Sequence, residues 1–355
     1  MSGNAEHPKR QRGQAIVVFV LFLTALLLMV GLVVDGAYGL SQARAAQNAS
    51  DFAALSGARI VAESIGGNHL DGTDPNVKAA ITASLQVNGA AAPTFNSTNG
   101  PIYVDENGNN VGWVGNGSIP STAVGVQLRS SRTWRPFFLG IAGVDSWTAG
   151  AAATAKGGYY TGAPGGVFPV GVAEAFFDGK SPCTGNATGN LGGSGVCDPQ
   201  QLTPGSLNVP GGFGWLKFGC SGYGLGQDPP ANAGGCSNSK GFLQSEIDGN
   251  SYGCCSQVKL PGSKDWIGSL PGNKNSADCS TVIANKTIVN VAVWDSAGGT
   301  GSNAYYHIVG YTGWQITGCS GGKDIEGVWR QPMYLGPTTT TPGFAGQALA
   351  VQLVR

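Results

Sequence analysis

Hydrophobic and polar positions follow three different rhythms along this chain. From Ala15 to Val34 there is no alternation: AIVVFVLFLTALLLMVGLVV carries no charge over twenty residues. At ~1.5 Å per residue such a helix crosses the ~30 Å hydrocarbon core of a bilayer. From Asp35 to about Ser64 the pattern turns helical, without proline and rich in alanine, the best helix former. Ala43, Ala46, Ala49, Ala53, Gly57 and Ile60 fall on one narrow face of mostly small side chains, and Arg44, Asn48, Asp51 and Arg59 fall on another. The spacing predicts one helix over 15–64, ~75 Å long if unbroken. Gly31, Gly36 and Gly39 each weaken it by roughly 1 kcal/mol relative to alanine and mark the place for a kink.

Gly66-Gly67 stops that helix, Asp74 and Pro75 supply an N-cap and a first-turn proline for a second one through about Val87, and Asn88-Gly89 closes it. Short apolar pieces such as Ile102, Tyr103 and Val104 in a Gly-, Asn- and Pro-rich stretch predict hairpins. AVGVQLRSS then alternates with the period of a half-buried strand. After Trp134, PFFLGIAG reads as a short apolar helix or turn, and DSWTAGAAATA as a strand of small residues. Gly157 to Gly166 (GGYYTGAPGG) reads as a linker. Beyond it, Val167–Phe177, Lys286–Trp294, Ala304–Thr317, Ile325–Met333 and Gln347–Val354 are β-branched or aromatic and bounded by turn signals.

The fold class expected is α+β. It comprises a cytoplasmic tail (1–14), a transmembrane helix (15–34), an Ala-rich helix with a small α+β unit (35–156), the linker (157–166) and a mostly β, disulfide-rich C-terminal domain (167–355).

Composition narrows the picture. Glycine makes up 59 of 355 residues, but without the Gly-X-Y period of collagen, and 41% apolar residues argue against a disordered tail. Lys plus Arg equals Asp plus Glu at 20 each, and the basic residues form no stripe, which argues against nucleic acid as a partner. Lys9, Arg10 and Arg12 precede the apolar run, whereas Asp35 follows it and no basic residue returns until Arg44. By the positive-inside rule the N-terminus is cytoplasmic and the rest of the chain extracytoplasmic, a single-pass topology with the lipid bilayer as partner. A cleaved secretory signal would have a shorter core and a small-x-small site behind it; Val33, Val34, Asp35, Gly36 and Ala37 offer a poor one.

Eight cysteines, Cys183, Cys197, Cys220, Cys236, Cys254, Cys255, Cys279 and Cys319, all lie in the second half. In an exported region an even number reads as up to four disulfides. Zinc is disfavoured, since no Cys-x-x-Cys occurs.

The segment RQRGQAIVVFVLFLTALLLMVGLVVDGAYGLSQARAAQNASDFAALSGA carries Arg12-Gly13 before the apolar run, Val34-Asp35-Gly36 at its exit and Gln47 to Ala58 (QNASDFAALSGA) along the helix. In these features it resembles the N-terminal segment of TadE/TadG-like proteins of the Flp (tight adherence) pilus system. The later segments VFPVGVAEAFF, GFGWLKF and VAVWDSAGGTGSNAYYHIVGYTGWQITG are similar to C-terminal halves of some members. The resemblance implies a membrane-anchored pilus-assembly or minor-pilin-like protein without catalytic activity, with other pilus subunits as partners.

Two departures qualify the resemblance. Type IV-like prepilins carry a glutamate at the fifth position after the processing glycine; a cut after Gly13 puts Val18 there. Some larger TadG proteins carry an Asp-x-Ser-x-Ser metal motif, whereas Asp295-Ser296-Ala297-Gly298-Gly299 has alanine and glycine at the two serine positions.

No catalytic constellation stands out. Gly318-Cys319-Ser320-Gly321-Gly322 satisfies Gly-x-Ser-x-Gly formally, with His307 and Asp295 as imaginable partners, but glycine is common enough for a chance match. No cofactor motif is present, and the chain reads as a non-enzyme. The helix-packing stripe of Ala43, Ala46, Ala49, Ala53 and Gly57 fits either a second helix of the same chain or a neighbouring subunit. The alternative function is a tethered adhesin whose aromatics, such as Trp215 and Trp266, contact glycan or protein; an exported hydrolase using Ser320 is a remoter one.

Overall fold

The computed structural model describes residues 14–67, 71–95, 98–141, 143–162, 167–173, 200–202, 216, 244, 266–268, 288–299, 305–320, 324–342 and 347–354. Two helices open the chain, α1 (Gln14–Ile65) and α2 (Asp74–Val87). The strands that follow are β1 (Ile102–Val104), β2 (Asn110–Trp113), β3 (Gly125–Trp134), β4 (Trp147–Tyr160), β5 (Val167–Ala173), β6 (Gln200–Leu202) and β7 (Trp266–Gly268). They continue with β8 (Ile288–Gly298), β9 (Tyr305–Ser320), β10 (Asp324–Arg330), β11 (Met333–Leu335), β12 (Thr338–Thr339) and β13 (Leu349–Val354). A long apolar helix with a β-rich remainder is the α+β architecture the patterning predicts. Cys183, Cys197, Cys220, Cys236, Cys254, Cys255 and Cys279 lie outside the described residues, and of Cys319 only its backbone, in β9, is described.

α1 runs through Gly31, Gly36 and Gly39 as one uninterrupted helix of 52 residues. Two of these glycines serve close approach rather than a break. A Cβ on Gly31 would stand 2.6 Å from the Phe138 ring, and one on Gly39 3.5 Å from Trp134.

α2 has the expected bounds but a different cap. Thr73 occupies the N-cap, without a side-chain hydrogen bond, and Asp74 begins the helix itself. The Asp74 carboxylate turns inward: Oδ1 accepts the Tyr103 hydroxyl (2.6 Å) and the Gly115 N–H (2.7 Å), and Oδ2 accepts the Gly117 N–H (2.7 Å). This one buried group thus ties the helix to β1 and to the loop after β2. Burial, and then the adjacent carboxylate, raise the Tyr103 phenol well above its ordinary value. A raised folded-state value contributes stability that is complete below the unfolded value of about 10 and is lost as pH rises through the folded one. On raising pH above about 10, Tyr103→Phe is therefore expected to lose less stability than the wild type, read from urea midpoints across the alkaline range.

The first sheet has the order β11-β13-β4-β3-β1-β2, with β12 also on β4. β3 and β4 pair antiparallel from Gly125↔Lys156 to Trp134↔Trp147, a long hairpin. Residues 157–160, at the start of the segment read as a linker, are the last of β4, and Tyr159 pairs with Leu349 of β13. The C-terminal strands thus return to the first sheet, and the second sheet is built from chain lying between β4 and β11. That sheet has the order β5-β8-β9-β10-β6, with β7 on β9.

The first core lies between α1, α2 and the first sheet. The helix contributes small residues, Ala49, Ala53, Ala54, Ala58 and Ala62, and the bulk comes from Ile81, Leu85, Tyr103, Val126, Leu128 and Leu349. Each such large side chain, fully buried, stabilises by roughly 1.5–3 kcal/mol. In the second sheet most described aromatics are core: Trp314, Tyr306 and Tyr311 are fully buried and Trp294 nearly so.

Candidate functional site

The composition of α1 changes midway, and so does its environment. Among the described residues this is the one helix long and apolar enough to cross a membrane, with a mean hydropathy of 3.1 in its most apolar window and almost none of that window buried. Phe19, Leu21, Phe22, Leu28, Met29 and Val33 all project into open surroundings. Past Asp35 the same helix becomes the spine of the first core.

The β3–β4 hairpin lies along α1 from the apolar run to the C-terminal end of the helix. Gly31 meets Phe138, Asp35 meets residues 137–139, and Gly39 faces Trp134 and Trp147. Further along, Ser50 Oγ shares a 2.7 Å hydrogen bond with Ser130 Oγ and donates to the Ala151 carbonyl at 3.2 Å. Tyr159 donates to the Ile65 carbonyl at the top (2.9 Å). From Gly31 to Ile65 the helix rises about 50 Å, close to the length of the 14 residues of β4 at about 3.3 Å each.

The predicted packing stripe belongs to this seam. Ala46, Ala49 and Ala53 are fully buried, Ala43 is half-buried and Gly57 sits against Ile81 and Val126. Their neighbours are elements of the same chain. The face left open on this stretch carries Leu40, Arg44, Asn48, Phe52 and Arg59.

Asp35 is the residue that pattern reading missed. In the sequence it is merely the charge that ends an apolar run. In the structure it is fully buried, and its two carboxylate oxygens accept the backbone N–H groups of Phe137 (2.8 Å), Phe138 (2.9 Å) and Leu139 (2.7 Å). Three convergent N–H groups on an anion make strong, charge-assisted bonds, and they hold the tip of the β3–β4 hairpin to the helix where its uncharged run ends. The available signal was positional: Gly31, Asp35 and Gly39 stand four residues apart, on one helical face. Tyr38 adds an edge-on contact to Phe137 (5.3 Å between centroids) and another to Trp134 (6.4 Å). Asp35→Leu is expected to free the turn. Chymotrypsin cleavage at Phe137 to Leu139 in detergent-solubilised protein should accelerate more than about tenfold, with helix content unchanged.

His307 Nδ1 lies 2.7 Å from Asp295 Oδ1, and Trp266 packs on the imidazole at 5.0 Å and on Tyr305 at 5.2 Å. Ser320 belongs to the other end of β9, 13 residues on, about 40 Å away at the rise of an extended strand. The imagined triad therefore does not assemble. Among the described residues no group of three His, Cys, Asp or Glu side chains stands close enough to hold a metal ion. Trp215 lies outside the described residues.

A membrane-capable helix doubling as the spine of a small α+β unit defines the class: a protein whose folded part is built directly on its apolar helix. Residues 13–59 match the family model described as putative Flp pilus-assembly TadE/G-like. The match starts just ahead of α1, takes in Asp35 and the Ser50 seam, and ends within the helix. No curated protein and no solved structure matches the chain.

Proposed function

We propose that this chain is a single-pass, membrane-anchored structural protein of a Tad/Flp-type pilus system, an assembly factor or minor-pilin-like subunit, with its N-terminus cytoplasmic and its folded part extracytoplasmic. One observation carries the reading: the segment that matches the pilus-assembly family is the stretch of α1 where a bare apolar helix passes into a buried small-residue seam. The basic flank of Lys9, Arg10 and Arg12 supports the orientation. Because the Ala46–Ala53 stripe is covered by the chain's own sheet, subunit contacts fall to the bare part of α1 and to the outer face around Leu40 and Phe52. The family is structural, and the separation of Ser320 from His307 gives a hydrolase no support. In the cells that make this protein, deletion is expected to abolish surface pili. The full chain should restore them, and a chain lacking residues 14–34 should not; normal pili in the deletion strain would refute the proposal.

The half-exposed Trp266, Tyr305 and His307 cluster favours a second reading, a tethered binding module. Glycan or cell-surface binding by the purified protein, lost in Trp266→Ala, is its test.

A further inference from the structure

The turn joining β3 to β4 is apolar, exposed and set beside the bare part of α1. Pro136 to Val144 read PFFLGIAGV, nine residues without charge, between Arg135 and Asp145. Phe137 is 61% exposed and Ile141 85%, large values for such side chains in a folded protein. Phe138 covers Gly31, which lies inside the uncharged run four residues before Asp35. The turn therefore reaches about 6 Å past the carboxylate toward the membrane side, and its apolar surface continues that of the span.

Its backbone is prepared for such a place. Irregular chain at membrane depth requires its N–H groups to be satisfied within the protein. Asp35 takes those of Phe137, Phe138 and Leu139, while the N–H groups of Ile141, Gly143 and Val144 go to the carbonyls of Phe138 (3.0 Å), Gly140 (3.3 Å) and Leu139 (3.0 Å). Directly above stand Trp134 and Trp147, 6.1 Å apart, with Tyr38 beside Trp134, side chains suited to the headgroup level.

We propose that the β3–β4 turn is a second membrane contact: a non-spanning wedge that places Phe137, Phe138, Ile141 and Val144 among the acyl chains of the leaflet α1 leaves, with lipid as its ligand. This rests on α1 being the membrane anchor. Two contact points on one side of the helix fix the orientation of the folded part on the bilayer, which a lone helix leaves free to swivel.

The test uses the full-length chain reconstituted in phosphatidylcholine vesicles, with photoreactive benzoylphenylalanine replacing Leu26, Ile141 or Phe52 one at a time. Leu26 reports the span, Ile141 the wedge and Phe52 an exposed position well above the exit. Phospholipid-mass adducts are expected at Leu26 and Ile141, with the Ile141 yield at least about fivefold above that at Phe52. Adducts at Leu26 without any at Ile141, or Ile141 cross-linking to a second copy instead of lipid, would overturn the wedge and leave the anchor standing. Failure at Leu26 would overturn the anchor, and the wedge with it.

Discussion

Gly157→Leu is expected to destabilise the folded part by about 3 kcal/mol or more, as an overpacked contact that cannot relax. Gly157 lies where β4 passes under the last turns of α1. A Cβ there would stand 2.5 Å from the Ala58 carbonyl oxygen, 2.7 Å from the Ala62 Cβ and 3.2 Å from the Ala62 N. Two of those three atoms are helix backbone, so no side-chain rotation relieves the clash. The helix must lift from the sheet, which unpacks Ala58, Val61 and Ala62, all fully buried. Even Gly157→Ala places the offending atom, and it should already lose a large part of the stability. Urea unfolding of the detergent-solubilised protein, followed by near-ultraviolet circular dichroism, reads the loss. An unchanged midpoint would mean that α1 does not lie on β4 as described.

Asp74→Ala is expected to cost about 3–5 kcal/mol, in the range for breaking a buried charged hydrogen-bond network. Its removal strands three donors at once: the Tyr103 hydroxyl and the N–H groups of Gly115 and Gly117. Tyr103 is fully buried, so its hydroxyl has no water to turn to. The two glycines stand at φ +92° and +99°, a loop conformation that aims both N–H groups at the carboxylate. The negative charge also sits in the first turn of α2, where the helix dipole favours it. Asp74→Asn keeps one acceptor and should fall between wild type and Asp74→Ala; equal stability of all three proteins would contradict the network.

Much of this architecture is legible in the sequence because its signals are local. The apolar span, the Ala-rich continuation, the bounds of α2 and the alternation of β3 each follow from spacing within one element. What escaped depends on partners distant in sequence. LAVQLV in β13 has the same period whichever sheet receives it, and only the pairing of Leu349 with Tyr159 decides. Gly31 and Gly39 weaken a helix in isolation, and a kink is what local sequence predicts. Aromatic residues of the β3–β4 hairpin, distant in sequence, reverse that reading by using the gaps for packing: Phe138 against Gly31, and Trp134 and Trp147 against Gly39. Asp35 escaped for a related reason: a lone acid after an apolar run looks like a boundary until its three N–H partners come into view. Asp before Pro reads locally as a helix cap; the pull of Tyr103 and the glycine loop turns Asp74 inward instead.

The most direct test of the central claim, that α1 is at once membrane anchor and folding spine, is mass spectrometry of carbonate-washed membranes from intact cells treated with external protease. The account predicts that untreated membranes retain a chain that includes residues 15–34, and that protease removes the folded part while leaving a fragment spanning this stretch in the bilayer. A mature chain recovered in the medium and beginning beyond Val34 would contradict it.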